Sequence, residues 1–420
     1  MRSEMHGPGH PPRRVVVVGA GMVGLATAWF LQEHGAQVTV LDRAGVAAGA
    51  SWGNAGYLAP AMAVPLPEAG LLREGLRGLP DPASPVHLSP RLRPATLAFL
   101  ARFAARCTPG AWRAGMAALT PLDRAALAAF DELAAGGVDA PTHEAPVLIG
   151  FPEPDAAAGL RHELAGVRAA GQDVRLSTLA EVVPPFSDRI RLVLRLDGQR
   201  HIDPGRYLAR LAESVQVRGG RVVAGARVRA IRFGPGGLQV ETWTDPPEPA
   251  DAVVVATGAW LPELARPLGV RMPVQAGRGY SFTVGARIPV AQPVYLPAAR
   301  VALTPVGDRL RLAGTMEIAD RDAPFDGRRI AAIVRSVRPH LDGVDLGDVR
   351  DPWVGPRPLT PDGLPLIGPT RMPGVHVAGG HGMWGVTLGP VTGRLLARRV
   401  MTTDPVPELA PFDPLRRRVF

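Results

Sequence analysis

Four consecutive valines, Val15 to Val18, run straight into Gly19-Ala20-Gly21-Met22-Val23-Gly24, and no other feature of the chain restricts its fold as strongly. A short apolar run without polar alternation reads as a parallel strand buried on both faces. A helical stretch, Leu25–His34, follows and is stopped by Gly35; Val38–Leu41 reads as the next strand, closed by Asp42. Each part has a physical task. Gly19 permits the tight turn, Gly21 lets a pyrophosphate approach the backbone, and Gly24 lets the helix lie close on the strand. Ala20, Met22 and Val23 complete the loop around the ligand. Free N–H groups at the helix start attract phosphates, and Asp42, about 20 residues on, can accept hydrogen bonds from an adenosine ribose. Glycine spacing alone is a weak signal. Strand, glycines, helix, strand and acid in this order predict an α/β unit of the Rossmann type that binds a dinucleotide. Arg43 leaves the dinucleotide open, because a guanidinium there suits the 2′-phosphate of NADP or the adenosine and diphosphate of FAD.

The remaining composition narrows the chemistry by exclusion. With 420 residues, 46% hydrophobic and 20% charged, the chain has the size and balance of two or three folded domains. All 47 basic residues are arginine. The absence of lysine removes Schiff-base chemistry and the P-loop lysine. Cys107 is the only cysteine, so an internal disulfide, a zinc knuckle and an iron–sulfur site are excluded and no metal is expected. The formal charge of +9 comes from arginines scattered along the chain, the tightest group being Arg416-Arg417-Arg418. It reads as arginine on a solvated surface, with an acidic substrate or a peripheral membrane contact as the alternatives and no nucleic acid expected. Met1–Pro12, with His6 and His10, reads as a disordered lead-in. Arg13-Arg14 before an apolar run imitates a secretory signal, but the glycines interrupt that run and no cleavage site follows. No run approaches the ~18 apolar residues of a membrane helix. A cytoplasmic protein is expected, touching the inner face of the plasma membrane at most peripherally.

Three further segments favour FAD over NADP. Ala50-Ser51-Trp52-Gly53-Asn54-Ala55-Gly56 is a second small-residue loop whose backbone N–H groups can reach a ligand, with Ser51 and Asn54 as added donors. The same stretch formally matches a hydrolase nucleophile elbow, but Ala44–Gly49 does not read as the strand that motif requires. Arg221–Ile231 and Ala250–Thr257 read as strands; the second ends in Thr257-Gly258, which suits a ligand at the carboxyl edge of a parallel sheet. Near the C-terminus, Gly355–Gly363 leads to a strand, His376–Ala378, then to Gly379-Gly380-His381-Gly382-Met383-Trp384-Gly385-Val386-Thr387 and a helix, Pro390–Met401, with Pro390 suited to its first turn.

These residues resemble the D-amino-acid oxidase superfamily of FAD oxidoreductases, and within it the bacterial D-amino-acid dehydrogenases of the small-subunit type, with glycine and sarcosine oxidases as cousins. The likeness runs from Val15 to about Met401. It is specific in the first glycine loop, Ser51–Gly56, Arg278-Gly279-Tyr280-Ser281, Arg309–Glu317 and Gly355–Gly389, and weak through Leu71–Glu144. It implies a discontinuous Rossmann-like FAD-binding domain over residues 13–61, 150–264 and 353–403. An α+β substrate domain would take 62–149 and 265–352, built on an antiparallel sheet from Met272 to Arg350, with tails at 1–12 and 404–420.

The resemblance also implies site residues. Gly19, Gly21, Gly24, Asp42 and Arg43 would hold the ADP half of a non-covalent FAD. Ala50, Ser51, Asn54, Ala55 and Gly56 would reach the pyrophosphate and flavin, Val228 the adenine, and Thr257 and Gly258 the rim between them. Gly380 to Thr387 would line the isoalloxazine, with the N-terminus of the following helix stabilising the negative charge of a reduced flavin. Arg357 would hold the substrate carboxylate as a bidentate pair, or else staple the proline-rich turn. Tyr280 would place its hydroxyl over the substrate, or serve as an ordinary sheet tyrosine; His381 would contact the ring. Met383 stands where some glycine oxidases carry a second carboxylate-binding arginine. Trp384 would shape the pocket or simply pack. Asp203 and Pro204 read as a helix start, Pro361-Asp362-Gly363 as a turn, and Ala95–Cys107 and Arg113–Ala135 as packing helices. The implied reaction is oxidative deamination of a D-amino acid to a 2-oxo acid and ammonia, a hydride passing from Cα to flavin N5 and the electrons going on to oxygen, a quinone or another carrier. A related oxidoreductase for glycine, sarcosine, a cyclic amino acid or a 2-hydroxy acid is the alternative, and a non-catalytic basic binding protein the remote one.

Overall fold

Val15 to Val18 form the central strand that their valines predict. In the computed structural model, which describes residues 12–68, 70, 84, 86–89, 93–234, 236–402 and 404–416, the strand Arg14–Val18 sits inside a six-stranded sheet. The strand order is Arg221–Val223, Gln37–Leu41, Arg14–Val18, Ala252–Val255, Val375–Gly379, Leu366–Pro369. The first five run parallel and the last is antiparallel. Strand alternation divides the valines between two layers. Val15 and Val17 pack under the helices, whereas Val16 and Val18 face Ile231, Leu238 and Val240 of a small antiparallel sheet, Val228–Gly234, Gly237–Thr242 and Glu248–Ala250. Arg221–Ile231, expected as one strand, therefore breaks into two that belong to different sheets.

The helix layer holds Met22–Glu33, Pro204–Val217 and Gly389–Met401. Gly393 explains how closely the first and last approach: a Cβ there would lie 2.6 Å from the Thr27 nitrogen, so only glycine allows this backbone contact. Pro204–Val217 starts as expected, with Asp203 Oδ1 accepting from Gly205 N at 3.1 Å. The expected Arg113–Ala135 helix begins earlier, at Pro109, because Thr108 Oγ1 accepts from Ala111 N and proline fits the first turn. The expected Ala95–Cys107 helix spans Pro94–Arg106.

The second large sheet has nine strands. Val344–Leu359, Gln275–Ala286, Arg309–Ile318, Val301–Val306 and Val294–Leu296 pair antiparallel in that order. Val147–Phe151, Leu192–Asp197 and Arg175–Thr178 continue it, and Val86–Leu88 joins Arg309–Ile318 in parallel. The sheet is thus mixed, and it runs past Arg350 to Leu359. Residues 150–264, expected with the parallel sheet, divide between the two sheets.

Residues 404–416 are not a loose tail. Leu409 and Phe412 are buried in the main core, and the Arg416 guanidinium forks onto Asp362 at 3.0 and 3.1 Å. That correction has a simple cause: the turn at 361–363 offers a carboxylate beside an apolar seat. Residues 1–11 of the expected lead-in, with His6 and His10, lie outside the described residues, as do Arg417 and Arg418. Among the described residues no helix is long and apolar enough to cross a membrane.

Candidate active site

The carboxyl ends of the parallel strands open onto a cleft lined by Gly19, Gly21, Asp42, Ser51 and Thr257 among others. Gly19 adopts φ +115°, and a Cβ there would fall 2.4 Å from the Ala256 oxygen. The turn after the first strand therefore needs glycine. Gly24 does what its spacing predicts, because a Cβ would collide with the Gly19 carbonyl. Gly21 caps the helix Met22–Glu33 without any side-chain bond, and Ser51 Oγ accepts from Met22 N at 3.3 Å. Asp42 organises the opposite lip: its carboxylate accepts from Ala20 N at 2.8 Å, Ala44 N at 2.8 Å and Gly45 N at 2.9 Å. Arg43 lies over the Trp260 ring at 3.6 Å and 3.8 Å from Asp322. Met22, Val23, Ala50, Asn54, Val228 and Gly258 also line this cleft.

The loop 50–56 is held from the nine-stranded sheet. Ser281 Oγ donates to Gly53 O at 2.7 Å, Arg311 Nη1 to Trp52 O at 2.7 Å, and Thr304 Oγ1 to Ala55 O. A side chain at Gly53 would strike Trp353. Across the cleft, the loop after Val375–Gly379 brings His381, Gly382, Met383, Gly385 and Val386 to the same wall. His381 Nε2 lies 3.0 Å from Thr392 Oγ1, in the first turn of Gly389–Met401, and burial pushes its pKa down to about 4. The imidazole is neutral at physiological pH. Trp384 Nε1 donates to Val64 O at 2.8 Å and Thr387 Oγ1 to Tyr57 O at 2.9 Å, so Trp384 both packs and lines a cavity.

That second cavity, of about 460 Å³, meets the cleft at three residues that line both, Asn54, Arg357 and Met383. The helix Pro94–Arg106, Tyr57, Leu66, Tyr295, Arg300 and the 313–318 end of Arg309–Ile318 enclose it. Arg357 projects from the end of Val344–Leu359. Its Nη1 donates to Thr315 O at 2.8 Å and lies 3.9 Å from Met316 Sδ, while Nε and Nη2 donate to no described residue. Burial lowers its pKa to about 10, which leaves it charged at neutral pH. Gly279 makes room for it, since a Cβ at that position would lie 2.1 Å from the guanidinium. Thr315 turns its carbonyl to Arg357 from a strained φ of +64°, beside a register shift in the pairing.

The structure does not bring every expected residue here. Tyr280 lies on the other face of Gln275–Ala286, because alternation sends Gly279 and Ser281 towards the cleft and Arg278 and Tyr280 away. It is fully buried, its hydroxyl donates to Glu317 Oε2 at 2.9 Å, and it lines neither cavity. Arg278 Nη1 meets the same carboxylate oxygen at 2.8 Å. The tyrosine is thus part of a buried ionic staple. Ala20, Gly24, Gly56 and Gly380 also line neither cavity; they shape the turns beneath. Ala55, Trp384 and Thr387 face the second cavity rather than the first. Trp260, Tyr57, Thr315 and the helix Pro94–Arg106 were not foreseen as site residues. Tyr57, Trp260 and Thr315 lie next to legible segments, but no local pattern says which of their neighbours reach a cavity, and only pairing across the sheets brings them in.

Uncapped helix N–H groups, a small-residue cradle and an acidic lip fit a dinucleotide. So does Thr257 Oγ1, buried at the cleft without a hydrogen-bond partner among the described residues. Comparison with known proteins agrees. The family model described as "FAD dependent oxidoreductase" matches residues 14–399. The chain is similar to a D-amino acid dehydrogenase of Methylobacterium nodulans, 34% identical over 416 residues covering 95% of this chain and 97% of that one. It is likewise similar to one of Cereibacter sphaeroides, 33% identical over 91% of each chain. In fold it resembles the glycine oxidase of Geobacillus kaustophilus, with a TM-score of 0.72 at 23% identity, covering 97% of this chain and all of that one.

Proposed function

We propose that this chain, which belongs to the FAD-dependent oxidoreductase family, oxidises D-amino acids to 2-oxo acids and ammonia. One observation carries the reading: a charged guanidinium, Arg357, stands where the dinucleotide cleft meets a second cavity, with Nε and Nη2 turned to no described protein group. A carboxylate is the complementary ligand, and two parallel N–H bonds would fix its orientation.

Gly19, Gly21, Ser51, Asp42 and Thr257 would hold the ADP half of FAD, and Asn54 and the 381–387 loop its ring. FAD, when bound, supplies the two-electron acceptor for the hydrogen that leaves Cα as hydride. Arg357 anchors the substrate carboxylate and thereby aims Cα–H into the cleft. The substrate's free amine supplies the electron pair that forms the imine as the hydride departs. His381, which burial favours in its neutral form, packs the wall with Nε2 3.0 Å from Thr392 Oγ1. No acid–base pair is needed, so the protein's contribution is orientation and fixed charge. The imino acid leaves and water hydrolyses it. The electrons pass to oxygen, a quinone or another carrier. We place the enzyme in the cytoplasm, where its single, buried Cys107 stays reduced.

Anaerobic titration of the holoenzyme with a pool of D-amino acids tests this: the oxidised-flavin absorbance bleaches. Arg357→Leu retains FAD but loses about 10²–10³-fold in kcat/KM, the scale of a lost charge-assisted pair. A flavin that stays oxidised with every D-amino acid would overturn the proposal.

A further inference from the structure

We infer that the site selects D-amino acids with a large apolar side chain, an inference that rests on the reading of Arg357 above. The cavity that meets the cleft at Arg357 measures about 460 Å³, room on the scale of small-molecule sites; Asn54, Met383, Trp384 and Thr387, which would face the flavin ring, line part of it, and the remainder falls to the substrate side chain. Its far wall is apolar. Phe99 and Phe103, one helical turn apart and stacked at 6.0 Å, stand beside Leu100 and Ala104 on one stripe of Pro94–Arg106 and pack in one cluster with Ile318 and Leu359. No carboxylate lines the cavity among the described residues, so a cationic side chain finds no partner there. Among the described residues its two charged side chains are both arginines. Arg357 is reserved for the α-carboxylate, and Arg300 lies within electrostatic reach of Glu163.

An apolar side chain entering this space exchanges water for the phenyl and aliphatic walls. A methyl group leaves most of the walls without contact. Each missing methylene in such a pocket is worth about 10–200-fold in kcat/KM. Discrimination arises here from unfilled apolar volume and, against cationic side chains, from the absence of a carboxylate among the described lining residues.

The experiment compares anaerobic flavin reduction in the holoenzyme by D-phenylalanine, D-leucine, D-alanine, glycine, D-aspartate and D-lysine. Expected kcat/KM for D-phenylalanine and D-leucine exceeds that for D-alanine by about 10²-fold or more. Glycine and D-lysine fall near background. A preference for D-alanine, D-aspartate or D-lysine overturns the inference. If no amino acid reduces the flavin, the proposed function fails, yet the pocket is still tested. Calorimetry then compares 3-phenylpropanoate with propanoate, and equal affinity overturns the inference while at least tenfold tighter binding of the phenyl acid supports it. Ala104→Trp, which fills the far end, lowers the D-phenylalanine to D-alanine ratio at least tenfold. Leu100→Trp serves the same purpose should Ala104→Trp lose its FAD. An unchanged ratio in an FAD-loaded variant counts against the inference.

Discussion

Arg357 owes its position to a residue that has no side chain. Gly279 lies beside it on the neighbouring strand, and a methyl group at 279 would occupy the space of the guanidinium. Gly279→Ala is therefore expected to push Arg357 off its carboxylate position. Steady-state kinetics should show KM raised tenfold or more, with FAD content unchanged because the cleft residues are untouched. A KM equal to wild type would show that Arg357 has a second usable place. Residues at this scale were unevenly legible. Gly19, Gly21, Gly24 and Asp42 could be read directly because their tasks are local, set by a turn, a helix start and a strand end. Arg357 could be marked only through family resemblance, since nothing near it in sequence says that Thr315 will present a carbonyl to it. Tyr280 carries two readings in the sequence, over the substrate or in the sheet, for a related reason: in a strand, one position decides the face, and the four residues Arg278 to Ser281 divide between two environments.

Gln275–Ala286 shows what that division does for an element. One face makes the site, through Gly279 for Arg357 and Ser281 for the 50–56 loop. The other face anchors the strand by Arg278, Tyr280 and Glu317. Arg278 Nη2 also donates to Ala323 O and Pro324 O at 2.7 and 2.8 Å, tying a loop to the same strand. The two faces should separate experimentally. Tyr280→Phe is expected to keep kcat/KM within about twofold while costing on the order of 1 kcal/mol, one hydrogen bond to a charged group. Glu317→Ala strands a buried guanidinium and should cost about 3–5 kcal/mol. Denaturant melts and initial rates on the same preparations check both; a large kinetic loss in Tyr280→Phe at full FAD content would return the tyrosine to the substrate. A cap and a proline mark the helix start at Asp203-Pro204, whereas the same pair at Thr108-Pro109 precedes a helix expected only from Arg113. Sheet membership has no such mark, because Arg175–Thr178 and Leu192–Asp197 carry the same β pattern whichever sheet receives them.

Across the whole molecule, three buried imidazoles make stability depend on acid. His201 in the small sheet beside Tyr57, His376 in the parallel sheet and His381 in the loop behind Arg357 are each lowered by burial from 6.5 to about 4. The fold keeps them neutral while the unfolded chain protonates them, so the stability they support is complete above pH 6.5 and is lost as pH falls towards 4. Asp123 runs the other way. Its carboxyl has no hydrogen-bond partner among the described residues, burial raises its pKa well above the usual range, and the fold holds its proton to higher pH than the unfolded chain does. Thermal melts between pH 4 and 8 should show Tm falling below 6.5, and Asp123→Asn should raise Tm at pH 8 and steepen the acid slope. A flat profile would mean that the imidazoles reach water. The backbone contact between Met22–Glu33 and Gly389–Met401 has a different consequence, one of timing. A ribosome makes roughly 5–20 residues per second. The first glycine loop emerges early, but the helix Gly389–Met401 that packs on Met22–Glu33 and the strand Val375–Gly379 are translated only much later. Cofactor loading must therefore await these segments, and until they emerge the strand Ala252–Val255 is the open edge of the parallel sheet.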